Sequence, residues 1–381
     1  MIVPISEYIK SVRYIDIMAR TLGGRKLYAL LDERGRERCH IGNSAIIFEV
    51  MYCGKHMAMR VYVKPHRNLQ AIYGDAFYPK ELLVSTINDN MGLADVVLCD
   101  WHEGVTLQTK IEELYLKPAK MELLSRLFEE FAVSLLGERW AHGDLKPENI
   151  IFENGTLRLI DFDATYREGF MPDDCAELGT RQFQHPMRNK SNFDKRIDDY
   201  PIALIATVLA ALVYEPKLGA SIKNNDYLLI QPSLAVAGQD AMLERIERLF
   251  AERGDVRHYR IARLLRSPQP ALPQLKNLLE SKLQSATSAE ALSLEYCNGY
   301  WGFAEGGRYI IPPFYDLAFD FSEGLALVRV GDVWHFINAS GEVAITCGRG
   351  KGIKPMKGGK AHISREDGEY DIYSDGRIEK V

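Results

Sequence analysis

A chain of 381 residues with 46% hydrophobic side chains can bury more than one ordinary core. Its 47 basic and 52 acidic side chains leave a net charge of −5, so electrostatics gives no reason to expect nucleic acid or an anionic membrane as a partner. Six cysteines without a C-x-x-C pair and nine histidines without metal-ligand spacing indicate neither a zinc site nor a disulfide framework; with Met1–Glu7 lacking the pattern of a secretory signal, the expected setting is a reducing cytoplasm.

In chain order, a turn at Ile41-Gly42-Asn43-Ser44 precedes a strand over Ile46–Val50, and His56–Val63 reads as a second strand carrying Arg60. A helix is expected over Pro65–Phe77, then strands at Glu81–Ser85 and Asp95–Leu98. Cys99-Asp100-Trp101-His102-Glu103-Gly104 follows as a connecting segment, with Trp101 reading first as a core aromatic. Met121, Leu124, Leu127, Phe128, Phe131 and Leu135 recur at helical spacing. Ile150–Phe152 and Leu157–Ile160 are apolar runs joined through Asn154-Gly155, a strong hairpin signal that carries Asp161 back beside Asn149. Ile202–Tyr214 is apolar throughout, yet falls well short of the roughly 20 residues that cross a bilayer, and so reads as a core helix.

The most informative stretch is Trp140-Ala141-His142-Gly143-Asp144-Leu145-Lys146-Pro147-Glu148-Asn149, followed by Ile160-Asp161-Phe162-Asp163. Phosphoryl transfer needs metal ions held on phosphate oxygens and an oriented acceptor hydroxyl. Asp144 suits the base, Lys146 a contact to the transferring phosphate, and Asn149 with Asp161 the oxygen ligands of Mg2+.

These residues resemble the protein-kinase-like superfamily, whose catalytic loop reads H-R-D-L-K-P-E-N and whose metal loop reads D-F-G. The resemblance implies an α+β, bilobal protein-kinase-like fold, a β-rich N-lobe with its hinge over 1–104 and a helical C-lobe over 105–285, that uses ATP and Mg2+. It places Gly42 in the phosphate-covering loop, Asp100 and Trp101 at the adenine hinge, and Arg60 where the phosphate-pairing lysine stands. Departures accompany it. Gly143 replaces an arginine that reads activation-segment phosphorylation, and Asp163 replaces the D-F-G glycine, as in aminoglycoside and choline kinase relatives. Gly42 is the sole glycine of its loop, Arg60 offers a planar fork instead of a compact ammonium, and Asp75 is the one carboxylate of the expected regulatory helix.

Gly179-Thr180-Arg181-Gln182-Phe183-Gln184-His185-Pro186 resembles the close of a protein-kinase activation segment, with Met187 in place of its glutamate, and Asp198–Leu204 resembles the opening of the central C-lobe helix. Thr180 is a candidate buttress for Asp144.

From 286 to 381 the chain turns glycine-rich and aromatic, with short alternating runs. Tyr300-Trp301-Gly302-Phe303 opens a unit that Val333-Trp334-His335-Phe336 restarts, and Glu369–Gly376 echoes it weakly. The segment resembles WG β-repeats, a small all-β module that implies binding or packing, here to a protein partner, with His335 replacing a signature glycine. Three readings stay open: an atypical ATP/Mg2+-dependent protein-kinase-like phosphotransferase acting on a protein or small-molecule phosphoacceptor hydroxyl, a pseudokinase scaffold or nucleotide sensor, and a small-molecule phosphotransferase. Neither nucleic acid nor membrane is expected as a partner.

Overall fold

The structure, a computed structural model, describes residues 3–24, 26–86, 90–224, 227–281 and 288–381. Helices α1 (Ile5–Arg13) and α2 (Ile15–Met18) lie ahead of every motif read from the sequence. They lead into strands β1 (Leu27–Ala29), β2 (Cys39–Ile41), β3 (Ala45–Tyr52) and β4 (Lys55–Tyr62), the short helix α3 (Leu69–Tyr73), and strands β5 (Phe77–Ser85) and β6 (Met91–Asp100). All pair antiparallel in the order β1-β3-β4-β6-β5, with β2 also on β3. Side chains alternate across a strand, so Met57, Met59 and Val61 face one way and Arg60 and Tyr62 the other. The first face packs with Ile46, Phe48 and Val50 beneath Tyr8, Val12 and Ile15 of α1 and α2.

The helix expected over 65–77 is much shorter. Asn68 takes a left-handed conformation before α3, Gly74–Ala76 form a 3-10 turn, and β5 already begins at Phe77. Glu81 is not a strand-surface acid: buried in β5, it accepts the Thr21 and Leu22 amides at 2.6 Å and the Thr21 hydroxyl at 2.7 Å, fastening the segment after α2.

Beyond β6 come β7 (Val105–Thr106), α4 (Leu107–Leu114) and α5 (Pro118–Leu135), with Pro118 in the first turn, where a missing amide hydrogen costs little. The hairpin β8 (Ile150–Glu153) and β9 (Thr156–Leu159) turns through Asn154 and Gly155, both at positive φ as a two-residue turn requires. The helix α6 (Asp199–Tyr214) is buried nearly all round, and α7 (Pro232–Ala237), α8 (Ala241–Arg253), α9 (Val256–Leu264) and α10 (Leu275–Glu280) surround it. No helix among the described residues is long and apolar enough to cross a membrane.

The C-terminal region is all β, in three small antiparallel sheets. They comprise β10 (Ser293–Cys297), β11 (Tyr300–Glu305) and β12 (Arg308–Tyr315); then β13 (Leu317–Ala318), β14 (Ala326–Val330), β15 (Val333–Ile337) and β16 (Val343–Arg349); then β17 (Lys360–Arg365), β18 (Gly368–Tyr373) and β19 (Ile378–Lys380). The weak echo at 369–376 thus falls in a sheet of its own. The first two sheets share one core with α5 to α10, while Leu327, Trp334, Phe336 and Ile345 on the opposite face of the second sheet pack with Ile363 and Ile372 of the third. Trp334 is a core residue, and Trp301 is half-buried against Tyr296. The boundary expected at 285/286 lies outside the described residues.

Polar contacts fasten the sheets to the helices. Arg260 of α9 donates to the Phe314 carbonyl (2.7 Å) and to Asp316 (2.9 Å), with its guanidinium 3.6 Å over the Tyr300 ring. His335, at the glycine position of its repeat, donates from Nε2 to the Ala251 carbonyl (2.8 Å), and burial lowers its pKa. Nearby, His258 pairs through Nδ1 with Asp255 (2.6 Å) and through Nε2 with Glu129 (2.7 Å), beside a cavity of about 520 Å³ that Phe314 and Glu342 also line. Burial alone would lower the His258 pKa; the two carboxylates outweigh it and push it up to about 9 from 6.5. Burial would raise Asp255, but the His258 charge holds it at about 2, below the ordinary 3.8.

The His258 contribution to stability is complete below pH 6.5 and lost as pH rises through 9; that of Asp255 is complete above 3.8 and lost as pH falls through 2. The difference in unfolding free energy between wild type and His258→Gln, followed against pH, should therefore be flat between about pH 4 and 6.5 and shrink from there to pH 9.

Candidate active site

The loop 140–149 is built on one buried carboxylate. Asp198, just before α6, accepts the His142 amide at 2.5 Å and the Gly143 amide at 2.9 Å, so the N-terminal end of the buried helix fixes the loop backbone. The His142 ring bonds the Ile160 carbonyl through Nε2 (2.9 Å), joining the loop to the end of β9 and supporting structure rather than chemistry. Gly143 has φ +83°, and a Cβ there would lie 2.0 Å from the Ala164 carbonyl oxygen. An arginine cannot occupy this position without displacing that backbone. Gly179, at φ +77°, is equally tight: a Cβ would come 2.4 Å from the Gly143 oxygen and 3.1 Å from Asp144 Oδ1.

That closeness lets the segment after Gly179 reach Asp144. The Thr180 amide donates to Asp144 Oδ1, and the Thr180 hydroxyl accepts from Lys146 Nζ at 2.9 Å. Lys146 lies 3.5 Å from Asp144 Oδ2. Asn149 donates its amide to the Asp144 carbonyl (2.8 Å) and to Oδ2 (3.2 Å), which leaves its side-chain carbonyl as the atom able to meet a cation. Pairing of Ile150 with Leu159, plus the bond from the Ile160 amide to the Asn149 carbonyl (3.0 Å), returns the chain so that Asp161 follows beside Asn149. Asp161 itself sits at φ +67°, a conformation Asp tolerates at some cost.

From the sheet side, Arg60 enters between two acids. One nitrogen, Nη2, donates to Asp161 Oδ1 at 2.7 Å and to Asp163 Oδ2 at 2.6 Å. Asp163 Oδ1 accepts the Tyr62 hydroxyl (2.6 Å) and the Tyr73 hydroxyl (2.7 Å). Burial would raise the Asp163 pKa, but the Arg60 charge and the two hydroxyls hold it below the ordinary carboxylate value. Burial works against the Arg60 charge, but Asp161, Tyr73, Asp163 and Tyr62 together outweigh it and raise its pKa. Arg60 is therefore not a solvated strand residue, and Asp75 is not its partner.

The expected adenine-side residues are differently placed. The Asp100 side chain is exposed and pairs with Lys55 at 2.5 Å, and Trp101 stacks on His56 with ring centres 5.0 Å apart. The Gly42 amide is taken by the Ala45 carbonyl (2.9 Å) within the β2–β3 turn, and Ser44 of that turn donates to Glu177 at 2.6 Å. The structure thus joins Asp144, Lys146 and Asn149 in one set of contacts and Arg60 with Asp161 in another, the two tied by the Ile160–Asn149 backbone bond, while Gly42, Asp100 and Trp101 are engaged with neighbours of their own.

Several site residues carry no motif. With Met187 in place of a segment-anchoring acid, His185 bonds the Ser267 carbonyl (2.9 Å), and Arg188 donates to the Gly143 carbonyl (2.7 Å) and to Gln184. Tyr62 was legible in principle, two residues from Arg60 on one strand face, but Tyr73 and Glu177 are joined to the site by tertiary contact alone.

Whether the site suits a divalent ion is a question of donor chemistry. Among the described residues no group of three or more His, Cys, Asp or Glu forms a cation cage. An amide and a carboxylate, Asn149 and Asp161, are what a hard ion that keeps water and phosphate oxygens asks of the protein, and the Asp161 side chain is 35% exposed and so reachable.

Gly143→Ala should lower stability by about 3 kcal/mol or more, since both φ and the Ala164 oxygen oppose a Cβ. Denaturant titration of the full chain checks this, with Gly155→Ala, which has open space at its Cβ position, as the control for positive φ alone.

Comparison with known proteins bears on a different part of the chain. None of the curated proteins compared with it matches. Residues 305–334 match a family described as WG containing repeat, a stretch running from the end of β11 to Trp334 in β15, so the C-terminal β region carries a repeat of this family.

Proposed function

We propose that this chain is an atypical protein-kinase-like phosphotransferase that uses ATP and Mg2+, with the WG repeat region as an interaction module for a protein partner. The observation that carries the proposal is the Asp144 carboxylate, held at once by the Thr180 amide, Asn149 and Lys146 on a loop that its β hairpin joins to Asp161. In this reading Asp144 would take the proton of a protein or small-molecule phosphoacceptor hydroxyl. Lys146, already shared with Thr180, would lie against the transferring phosphate. Asn149 and Asp161 would hold Mg2+, which when bound would neutralise charge on the nucleotide phosphates. Arg60 would offer a second cation to those phosphates.

A specific contact favours a second reading, a nucleotide-sensing pseudokinase or scaffold. Arg60 Nη2 sits 2.7 Å from Asp161 Oδ1, so a cation approaching Asp161 competes with a guanidinium already in place. The turn at Gly42 is also committed to its own hydrogen bonds.

Phosphoryl transfer from ATP, to the chain itself or to a general protein acceptor, separates the two. Asp144→Ala and Asp161→Ala should each lower the rate at least about 100-fold relative to wild type, because each removes a group acting at the reacting atoms. Equal rates in all three proteins would eliminate the enzyme reading. Retained thermal stabilisation by Mg2+ and ATP under that result would leave the sensor.

A further inference from the structure

Resting on the reading of Asp161 as a Mg2+ ligand, we infer that Asp163 is a positioning residue. It supplies from the Asp161 loop itself the counter-charge for Arg60 that α3 lacks, and so leaves Asp161 negative enough to take the cation.

Three departures from the family pattern meet at one place. The strand cation is a guanidinium, α3 contributes no carboxylate, and Asp163 stands where a glycine is usual. The contacts turn these into one set. A single nitrogen of Arg60 lies 2.6 Å from Asp163 and 2.7 Å from Asp161, with the Asp163 side chain only 6% exposed. Both Asp163 oxygens are engaged, Oδ2 by Arg60 and Oδ1 by the Tyr62 and Tyr73 hydroxyls, and the side chain is buried, so a metal has little access to it. Asp161 is the accessible member of the pair.

Charge counting gives the consequence. One cation and two anions leave one negative charge, and Asp161, the accessible member of the pair, is where a cation can meet it. Remove the Asp163 charge and Arg60 neutralises Asp161 alone. In a poorly solvated site a unit of charge is strongly felt by a divalent ion. Tyr73 adds a mechanical part, since its hydroxyl fastens α3 to the same carboxylate and α3 reaches the site without an acid of its own.

The test is Mg2+-dependent ATP binding, read as thermal stabilisation and by calorimetry on the full chain. Asp163→Asn keeps an oxygen for the tyrosines and removes the charge. The Mg2+ concentration for half-maximal effect should rise about tenfold, while ATP without metal should bind more tightly, because the site is one unit more positive. These shifts have opposite signs, whereas a variant that merely loosened the fold would weaken both. Arg60→Gln, which removes the cation to be offset, should lower the Mg2+ requirement and weaken metal-free ATP; it serves as the second reading should Asp163→Asn not fold. The double variant Arg60→Gln/Asp163→Asn should return the Mg2+ requirement to within about threefold of wild type.

An unchanged Mg2+ requirement in Asp163→Asn, or parallel loss of both modes, overturns the inference, as does a raised requirement in Arg60→Gln. Absence of any Mg2+-dependent ATP effect in the wild type would instead bring down the underlying reading of the site, and the inference with it.

Discussion

A carboxylate buried just before the buried helix α6 is the constraint on which the rest of the site stands. Asp198 is satisfied by two backbone amides of the loop it supports, His142 and Gly143. A buried anion demands such donors, and the demand runs both ways: the loop cannot leave without stranding the charge. The loop backbone is held there with Gly143 at φ +83° and its Cα hard against Ala164. That approach brings the segment after the β8–β9 hairpin alongside, and with it Asp161. Asp144 inherits its position from the residue that opens α6, through the backbone of its own loop.

The sheet joins this assembly by a different device. Strand β4 delivers Arg60 and Tyr62 from one face while its other face is sealed beneath α1 and α2. Arg60 then spans from sheet to loop and meets Asp161 and Asp163. Ser44 adds a second bridge, to Glu177. The two regions are therefore latched by polar contacts that ligands could compete for, whereas the helices and the first repeat sheets are joined by a continuous apolar core.

Much of this was legible in the letters, for reasons that differ by element. The hairpin could be read because Asn154-Gly155 encodes a turn by local backbone preference. The helices α5 and α6 could be read from period and apolarity, and the repeats from recurrence of Trp301 in Trp334. Local or periodic signals survive translation into sequence. The expected helix over 65–77 did not, because its residues carry no cap or stripe strong enough to extend α3 past five residues. The partner of Arg60 was sought on that helix and is found on the Asp161 loop, about a hundred residues away in sequence. Glu81 lies in a strand, as expected, but its burial and its acceptance of the Thr21 and Leu22 amides had no signal in the sequence. Pairings of that kind are set by tertiary approach, which leaves no spacing to read.

His335 shows how a departure from a repeat pattern can be informative once its surroundings are known. In its unit it follows Trp334 as Gly302 follows Trp301, and Gly302 has backbone of Ile311 and Pro312 where a Cβ would stand. At His335 the strand instead faces α8, and the imidazole donates to the Ala251 carbonyl near the end of that helix, an oxygen that also accepts the capping Gly254 amide. Close by, a Cβ on Gly254 would meet Val343 at 2.2 Å, so helix end and β16 are fitted to each other without room for side chain. A repeat unit free in solution gains nothing from a buried histidine. One that must seat on a helix end does, and the residue that breaks the repeat is one of those that join the repeat to the rest of the chain.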